Sequence, residues 1–433
     1  MDTEAELVEQ VEQKTAKDNS NKYFVVGIFS GVLITLIVIG AVFLFKSVYQ
    51  KQSIRKAINT VQGNENTKIT GNDELVTPKL VKKIGVLEGM IDKYYYDEYT
   101  TEALENGVYH GIIDSLGDKY ARYYSVEEVK QLQQDSGGYY CGIGAYVSYD
   151  EEKEICVIAG TMEGTPAESV GLREGDIIYK VDGVETQGMP SSDVVALIKG
   201  EEGTIVHISI IREGLDDILE IDIERAKVET SSVSYEMLDD NIGYIGISEF
   251  DTNTSDQFTE ALAILKDQGA RGFIFDLRSN LGGNLDTCCE MCREILPEGM
   301  IVYTMDKYGN KKEYTCDGSN ELKLPLVVIT NAYSASASEI MTGAVKDHGV
   351  GTVIGTTTYG KGVVQKVIPL TDGSALKITT SKYFTPSGVC IHGTGIVPDI
   401  EVTFDAEAYY NDGIDNQLNA AIEEIHRKWE TAE

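Results

Sequence analysis

Three small clusters in this chain could do chemistry together. The first is Ser334-Ala-Ser336-Ala-Ser-Glu339, which follows the apolar run Leu326-Val-Val-Ile329. Ile340, Met341, Ala344 and Val345 then fall at helical spacing. A short buried strand that feeds a helix through small hydroxyl residues can expose a nucleophile at the helix N-terminus. The second cluster is Lys361, set between Gly360 and Gly362, with Gln365 further on. The third is Gly282-Gly283, after the apolar run Phe273-Ile-Phe-Asp-Leu277 and before a helical pattern. Such a glycine pair frees backbone N–H groups beside a helix N-terminus, which suits an anion or a developing oxyanion.

Each cluster also has a plainer reading. Ser336-Ala-Ser-Glu339 is a capping box, so the serine could serve only as a helix cap. The glycine pair could be a tight strand-to-helix turn. A loop lysine is ordinarily solvated and charged. To act as a base it must be neutral, and its reference value of about 10.4 falls only through burial. The apolar Val363, Val364 and Val367 favour that, while the acidic chain opposes it. None of the five histidines, His110, His207, His348, His392 and His426, sits in a local triad signature. Gly355 to Lys361 also matches the first positions of a phosphate-binding loop, but Gly362 stands where Ser or Thr should hold magnesium. A nucleotide site would need a helix over 362–372, and Val-Val-Gln-Lys-Val-Ile-Pro reads as a strand.

Composition narrows the class. The chain has 433 residues and a net charge of −33, from 70 acidic and 37 basic residues. That balance excludes nucleic acid as a main partner. The seven cysteines are odd in number and do not form a small disulfide scaffold, although one disulfide is allowed. Cys288-Cys289-x-x-Cys292 lacks a second Cys or His pair at ligand spacing, so it reads as thiols on a helix, with no metal and no cofactor.

The elements that must position these residues come in order. Residues 1–22 form a polar tail. Residues 23–45 are an uncharged apolar run long enough to cross a bilayer, read as a transmembrane signal anchor. Lysines flank it on both sides, so local charge does not orient it. Residues 46–74 are a linker. Thr77-Pro78 caps a helix, and residues 75–134 form an N-terminal helical unit. From Gly137 to Lys227 short strands alternate with Gly-Asp and Asp-Gly turns. Residues 230–404 are mixed α/β. Residues 405–433 end in an amphipathic helix with Leu418, Ile422, Ile425 and Trp429 on one face, suited to packing or to a homodimer.

The stretch Thr165-Pro-Ala-Glu-Ser-Val-Gly-Leu-Arg-Glu-Gly-Asp-Ile-Ile178, followed by Val181-Asp-Gly183, resembles a PDZ domain over 137–227. Gly142-Ile143-Gly144-Ala145 sits where such a domain binds a peptide carboxylate. Successive N–H groups there receive a chain terminus while the peptide adds as a strand. The same fold could also be only a spacer or lid.

The core motifs carry a second resemblance. Asp276-Leu-Arg-x-Asn-x-Gly-Gly283, Ser334-Ala-Ser-Ala-Ser-Glu339, Gly360-Lys-Gly-x-x-Gln365, Thr385-Pro-Ser-Gly and Gly395-Ile-x-Pro-Asp399 occur in the order of the carboxyl-terminal processing (tail-specific) serine peptidases. The resemblance implies a crotonase-like mixed α/β (α+β) protease core with an inserted PDZ domain and an N-terminal helical unit, to which the apolar run 23–45 adds one transmembrane helix. It implies Ser336 as nucleophile, Lys361 as general base and Gln365 as the residue orienting the lysine. Gly282 and Ala337 N–H groups would form the oxyanion hole. Asp347 matches an acidic position with no assigned role. Leu281 departs from the common Asn-Pro-Gly-Gly form. The family's catalytic domain is extracytoplasmic, which places tail 1–22 in the cytoplasm and the enzyme in the cell membrane. Its substrates are proteins or peptides offering free C-termini. The rival reading is a PDZ binding protein that does not cleave, in which Ser336 only caps a helix.

Overall fold

The computed structural model describes residues 75–432. The expected membrane span 23–45 lies outside them. Among the described residues, no helix is long and apolar enough to cross a membrane. The chain divides into two compact units, Met1–Glu98 and Tyr99–Glu433. In the first, a helix spans Pro78–Tyr94, with the Thr77 hydroxyl accepting from the Leu80 N–H and Pro78 at the first turn, as the sequence signal required.

The unit boundary therefore falls inside the expected helical segment 75–134. That segment also contains a strand. After the Thr101–Asp114 helix comes β1, Arg122–Tyr124, before the Val126–Ser136 helix. Three residues are too few to show alternation, and β1 exists because a distant strand pairs with it.

Next come β2 (Tyr139–Gly142), β3 (Ala145–Asp150), β4 (Ile155–Thr161), β5 (Ile177–Val181), β6 (Val184–Glu185), β7 (Ile205–Ile211), β8 (Leu219–Glu224) and β9 (Ala226–Glu229). β3-β4-β5-β7-β8 form one sheet, with β6 paired to β5. Val206, Ile208, Ile210 and Ile223 bury their alternate side chains against Val194 and Ile198 of the Ser191–Ile198 helix. The Gly175-Asp176 signature is explained by its contacts. Asp176 is buried, takes two hydrogen bonds from Arg212 at 2.7 Å and accepts the Arg173 N–H. β2 and β9 pair antiparallel and close the domain's neck.

The core holds β10 (Val233–Leu238), β11 (Ile242–Ile247), β12 (Gly272–Asp276), β13 (Gly299–Asp306), β14 (Lys311–Cys316), β15 (Leu326–Thr330), β16 (Thr352–Gly355), β17 (Val363–Pro369), β18 (Ala375–Phe384) and β19 (Ile400–Glu401). The main sheet runs β10-β11-β12-β15-β16-β19, parallel from β11 onward. Every residue of β12 and β15 is buried, because helices cover both faces. On one face lie the Thr254–Asp267, Leu285–Arg293 and Ala337–His348 helices. On the other lies Asn416–Ala432, whose Ala421 and Ile425 are fully buried against Ile274, Val327 and Ile354. The apolar stripe of the last helix is thus covered by its own chain. A second sheet, β1-β18-β13-β14 with β17 on β18, is antiparallel. β17 occupies the segment where a nucleotide loop would need a helix.

Cys288, Cys289 and Cys292 lie fully buried on the Leu285–Arg293 helix and pack into the core. All seven cysteines are free thiols. Burial pushes the Cys288 and Cys289 thiols far up from their usual value.

Candidate active site

Parallel strands deliver their C-terminal ends to one rim. β12 leads into the 277–283 turn and β15 into the 331–335 turn. The two turns are sewn together by the serine ladder. Ser334 is fully buried, donates to the Leu277 carbonyl at 2.7 Å and accepts the Asn331 N–H at 2.9 Å. Ser338 is fully buried and donates to the Asn280 carbonyl at 2.9 Å, and the Ala335 N–H meets the same carbonyl. These hydroxyls are occupied. Ser336 between them is only half-buried.

Ser336 is the N-cap of Ala337–His348, a helix closed by Gly349 at φ 66° in the left-handed region. Its own backbone stands at φ 56°, ψ −112°. An N-cap ordinarily takes an extended conformation. Holding a non-glycine residue in the observed one costs about 1–3 kcal/mol, and such strain concentrates at functional sites. The peptide is fixed from both sides. Its N–H donates to Glu339 Oε2 at 2.9 Å, and its carbonyl accepts the buried Tyr383 hydroxyl at 3.1 Å.

Glu339 does more than the capping box indicated. It is fully buried, and its Oε2 also accepts the Lys361 N–H at 2.8 Å. Its Oε1 accepts the Thr358 hydroxyl at 2.6 Å and the Gly360 N–H at 2.7 Å. One carboxylate therefore joins the backbone of the candidate nucleophile to that of the candidate base. The capping motif points to the first contact. No local signal ties Glu339 to 358–361, because only the tertiary fold brings that loop across.

The Lys361 side chain is largely buried, and burial first, then the neighbouring Lys377 charge, pushes its amine below the usual lysine value. Tyr359 and Glu339 act in the opposite direction. Its Nζ lies 4.9 Å from the centre of the Tyr120 ring, a contact the sequence did not signal. Among the described residues, no hydrogen bond joins Lys361 Nζ to Ser336 or to Gln365. Gln365 instead sits beside a register shift in β17 and donates through Nε2 to Thr379 Oγ1 at 3.1 Å. The expected lysine-orienting contact is absent here, because Gln365 is bonded to its cross-strand neighbour.

The glycine turn closes on the serine. A Cβ added at Gly282, where φ is +102°, would stand 2.7 Å from Ser336 Cβ and 2.9 Å from the Ala337 nitrogen. Only glycine permits this approach. The Ala337 N–H, at the first helical position, has no intrahelical acceptor and is available to an oxyanion. The Gly282 N–H differs from expectation. It donates to Asn280 Oδ1 at 2.8 Å, and Asn280 is fully buried and anchored to the Ile247 carbonyl. Leu281 between them is exposed.

Asp276 and Arg278 brace the same turn. Arg278 grips Asp276 through Nε and bonds Asp415 at 2.8 Å, and Tyr244 donates to Asp276 at 2.9 Å. Those partners hold the Arg278 guanidinium charged and the Asp415 carboxyl below its usual range. Asp347 accepts the Ser387 N–H at 2.8 Å, so it pins the Thr385-Pro-Ser-Gly loop.

In the smaller domain, Gly142, Ile143, Gly144 and Ala145 line a cavity of about 220 Å³ with Val195, Ile198 and Lys199. Gly144 stands at φ +76°, and its carbonyl accepts the Met162 N–H. The cavity's lining is largely apolar.

Comparison with known proteins shows the family. A model of peptidase family S41 matches residues 241–402, and a PDZ domain model matches residues 157–212. The chain is 36% identical over 325 residues to a probable CtpA-like serine protease of Staphylococcus haemolyticus, covering 74% of this chain and 64% of that protein. It is 33% identical over 341 residues to the carboxy-terminal processing protease CtpA of Bacillus subtilis, covering 77% and 72%. Among solved structures, a photosystem II D1 C-terminal processing protease matches 76% of this chain and 94% of its own, at 28% identity and a TM-score of 0.45. The chain belongs to the S41 family of carboxyl-terminal processing peptidases and carries a PDZ domain.

Proposed function

We propose that the protein is a membrane-anchored serine endopeptidase that reads protein C-termini in its PDZ groove and cleaves with a Ser336–Lys361 dyad. The observation that carries this reading is the strained, half-buried Ser336 joined through Glu339 to the backbone of a desolvated lysine. A serine that only capped a helix would need no such backbone.

In the reaction, Lys361 leaves the Tyr120 ring and takes the proton from Ser336 Oγ as that oxygen attacks the scissile carbonyl. The proton passes to the leaving amine as the C–N bond breaks. Water then attacks the acyl-enzyme and gives its proton to Lys361, which passes it to Ser336 Oγ as the Oγ–C bond breaks, freeing the new C-terminus and restoring serine and neutral lysine. The Ala337 N–H receives the developing oxyanion. The Gly282 N–H joins it once turned from Asn280, and such a donor supplies about 2.7–4 kcal/mol. Gln365 orients the lysine after leaving Thr379. The 220 Å³ cavity suits a small apolar terminal side chain, with the carboxylate at 142–145. The apolar run 23–45 supplies the anchor, with the catalytic unit outside the cytoplasm.

Cleavage of an unfolded protein ending in Ala-Ala tests this reading. Ser336→Ala and Lys361→Ala should each abolish it, and amidating the substrate C-terminus should slow it at least tenfold. Native rates in either variant would remove the dyad. Indifference to amidation would remove the PDZ role alone.

A further inference from the structure

We propose that Tyr120 is a positioning residue for Lys361, its ring forming the wall that holds the amine and keeps water from it. The proposal rests on the Ser336–Lys361 reading. Tyr120 sits in the turn before β1, where its N–H donates to Asp118 Oδ1 at 2.9 Å and the Ala121 N–H to the Asp118 carbonyl at 3.0 Å. β1 then pairs with β18, Arg122 opposite Lys377 and Tyr124 opposite Ala375, which fixes the turn against the sheet edge. The ring meets Lys361 Nζ at 4.9 Å.

The Tyr120 hydroxyl is buried, and its polar neighbours are Lys119 and Tyr359. Lys361 meets the ring, so the ring rather than the hydroxyl is what this position supplies to the lysine in the resting site. The other groups facing Lys361 are Lys119 and Tyr120 from the turn, Tyr359 from its own loop, Glu339 from the nucleophile helix and Lys377 from β18. The Lys119 amine donates to the Tyr359 hydroxyl at 2.8 Å and also lies 4.9 Å from the centre of the Tyr120 ring.

The ring acts on the lysine in two opposed ways. Its π face favours the ammonium. Its bulk excludes water and disfavours the ammonium. Burial is the leading influence on this amine and pushes it downward, so exclusion of water dominates. Removing the ring should therefore rehydrate Lys361 and raise its titration midpoint.

Two measurements on the full chain in detergent test this: casein cleavage from pH 6 to 10, and trace acetylation of the Lys361 amine over the same range, read by mass spectrometry. Tyr120→Ala should move both the rising limb of kcat/KM and the acetylation midpoint up by about one unit, roughly a tenfold loss at neutral pH recovered at high pH. Tyr120→Phe should leave both where they are. Tyr120→Leu, which fills the space without a π face and guards against a folding defect, should give a midpoint at or below the native one. An unmoved or lowered midpoint in Tyr120→Ala overturns the proposal, as does a Phe variant that behaves like Ala. If Lys361→Ala still cleaves, the dyad is wrong, and acetylation still decides the wall. If Lys361→Ala is inactive while Tyr120→Ala leaves the midpoint unmoved, only the wall falls.

Discussion

Replacing Glu339 by glutamine changes one atom in the buried centre of the site, and its cost can be worked out bond by bond. Oε2 holds the Ser336 and Lys361 N–H groups, and Oε1 holds the Thr358 hydroxyl and the Gly360 N–H. A glutamine must aim its NH2 at one of these pairs. Aimed at the first, it faces two N–H donors that cannot turn away. Aimed at the second, it can be accepted only by Thr358, whose Oγ1 already takes the Ile396 N–H at 2.7 Å, and the Gly360 N–H is left facing a donor. At least one buried donor is unpaired either way, at about 1–3 kcal/mol per group. With the repulsion added, Glu339→Gln should lose about 2–4 kcal/mol in urea unfolding. Glu339→Ala, which leaves every donor unpaired, should lose more. Activity should fall beyond what the folded fraction explains, because either the tie between Ser336 and Lys361 or the anchor of Gly360, next to the lysine, is lost. A glutamine variant within about 0.5 kcal/mol of the native protein and cleaving at the native rate would refute the reasoning.

Gly282→Ala should cut cleavage roughly hundredfold, since its Cβ would fall 2.7 Å from Ser336 Cβ and displace the nucleophile; a rate within twofold of native would contradict the close approach. The Lys361 amine is held below its usual 10.5, so the unfolded chain binds that proton more tightly. This group's contribution to stability therefore rises with pH up to about 10.5 and is lost as pH falls through the folded value. Lys361→Met should accordingly melt above the native chain at neutral pH, the gap closing toward pH 10.5; a gap independent of pH would count against desolvation. Ile425→Ala should cost about 2–5 kcal/mol, measured by denaturant unfolding, if the last helix packs on its own sheet.

Much of the core was legible because its signals are local. Phe273–Leu277 and Leu326–Ile329 read as fully buried strands, and both are. The Thr165–Ile178 pattern carried the PDZ fold through turn residues whose backbone demands are local. β1 was not legible. Its partner lies on β18, and a three-residue strand carries no period of its own. The helical stripe of 416–432 was visible, but whether it met its own sheet or a second copy was not.

The sequence by itself determined the identity of the reactive groups and their local setting: a serine at a helix start, a glycine-flanked lysine and a glycine pair before a helix. Only the tertiary structure decided which of three serines is free, because Ser334 and Ser338 are taken by carbonyls of a different turn. It also decided that Glu339 reaches across to Lys361, that Gln365 rests on Thr379, that the Gly282 N–H rests on Asn280, and that Tyr120 covers the amine. The physical reason is separation along the chain. Capping and turn chemistry act within a few residues and leave a mark in the order of amino acids. The hydrogen bonds and burial that tune a nucleophile and its base join residues far apart in sequence, and exist only once the sheets have formed.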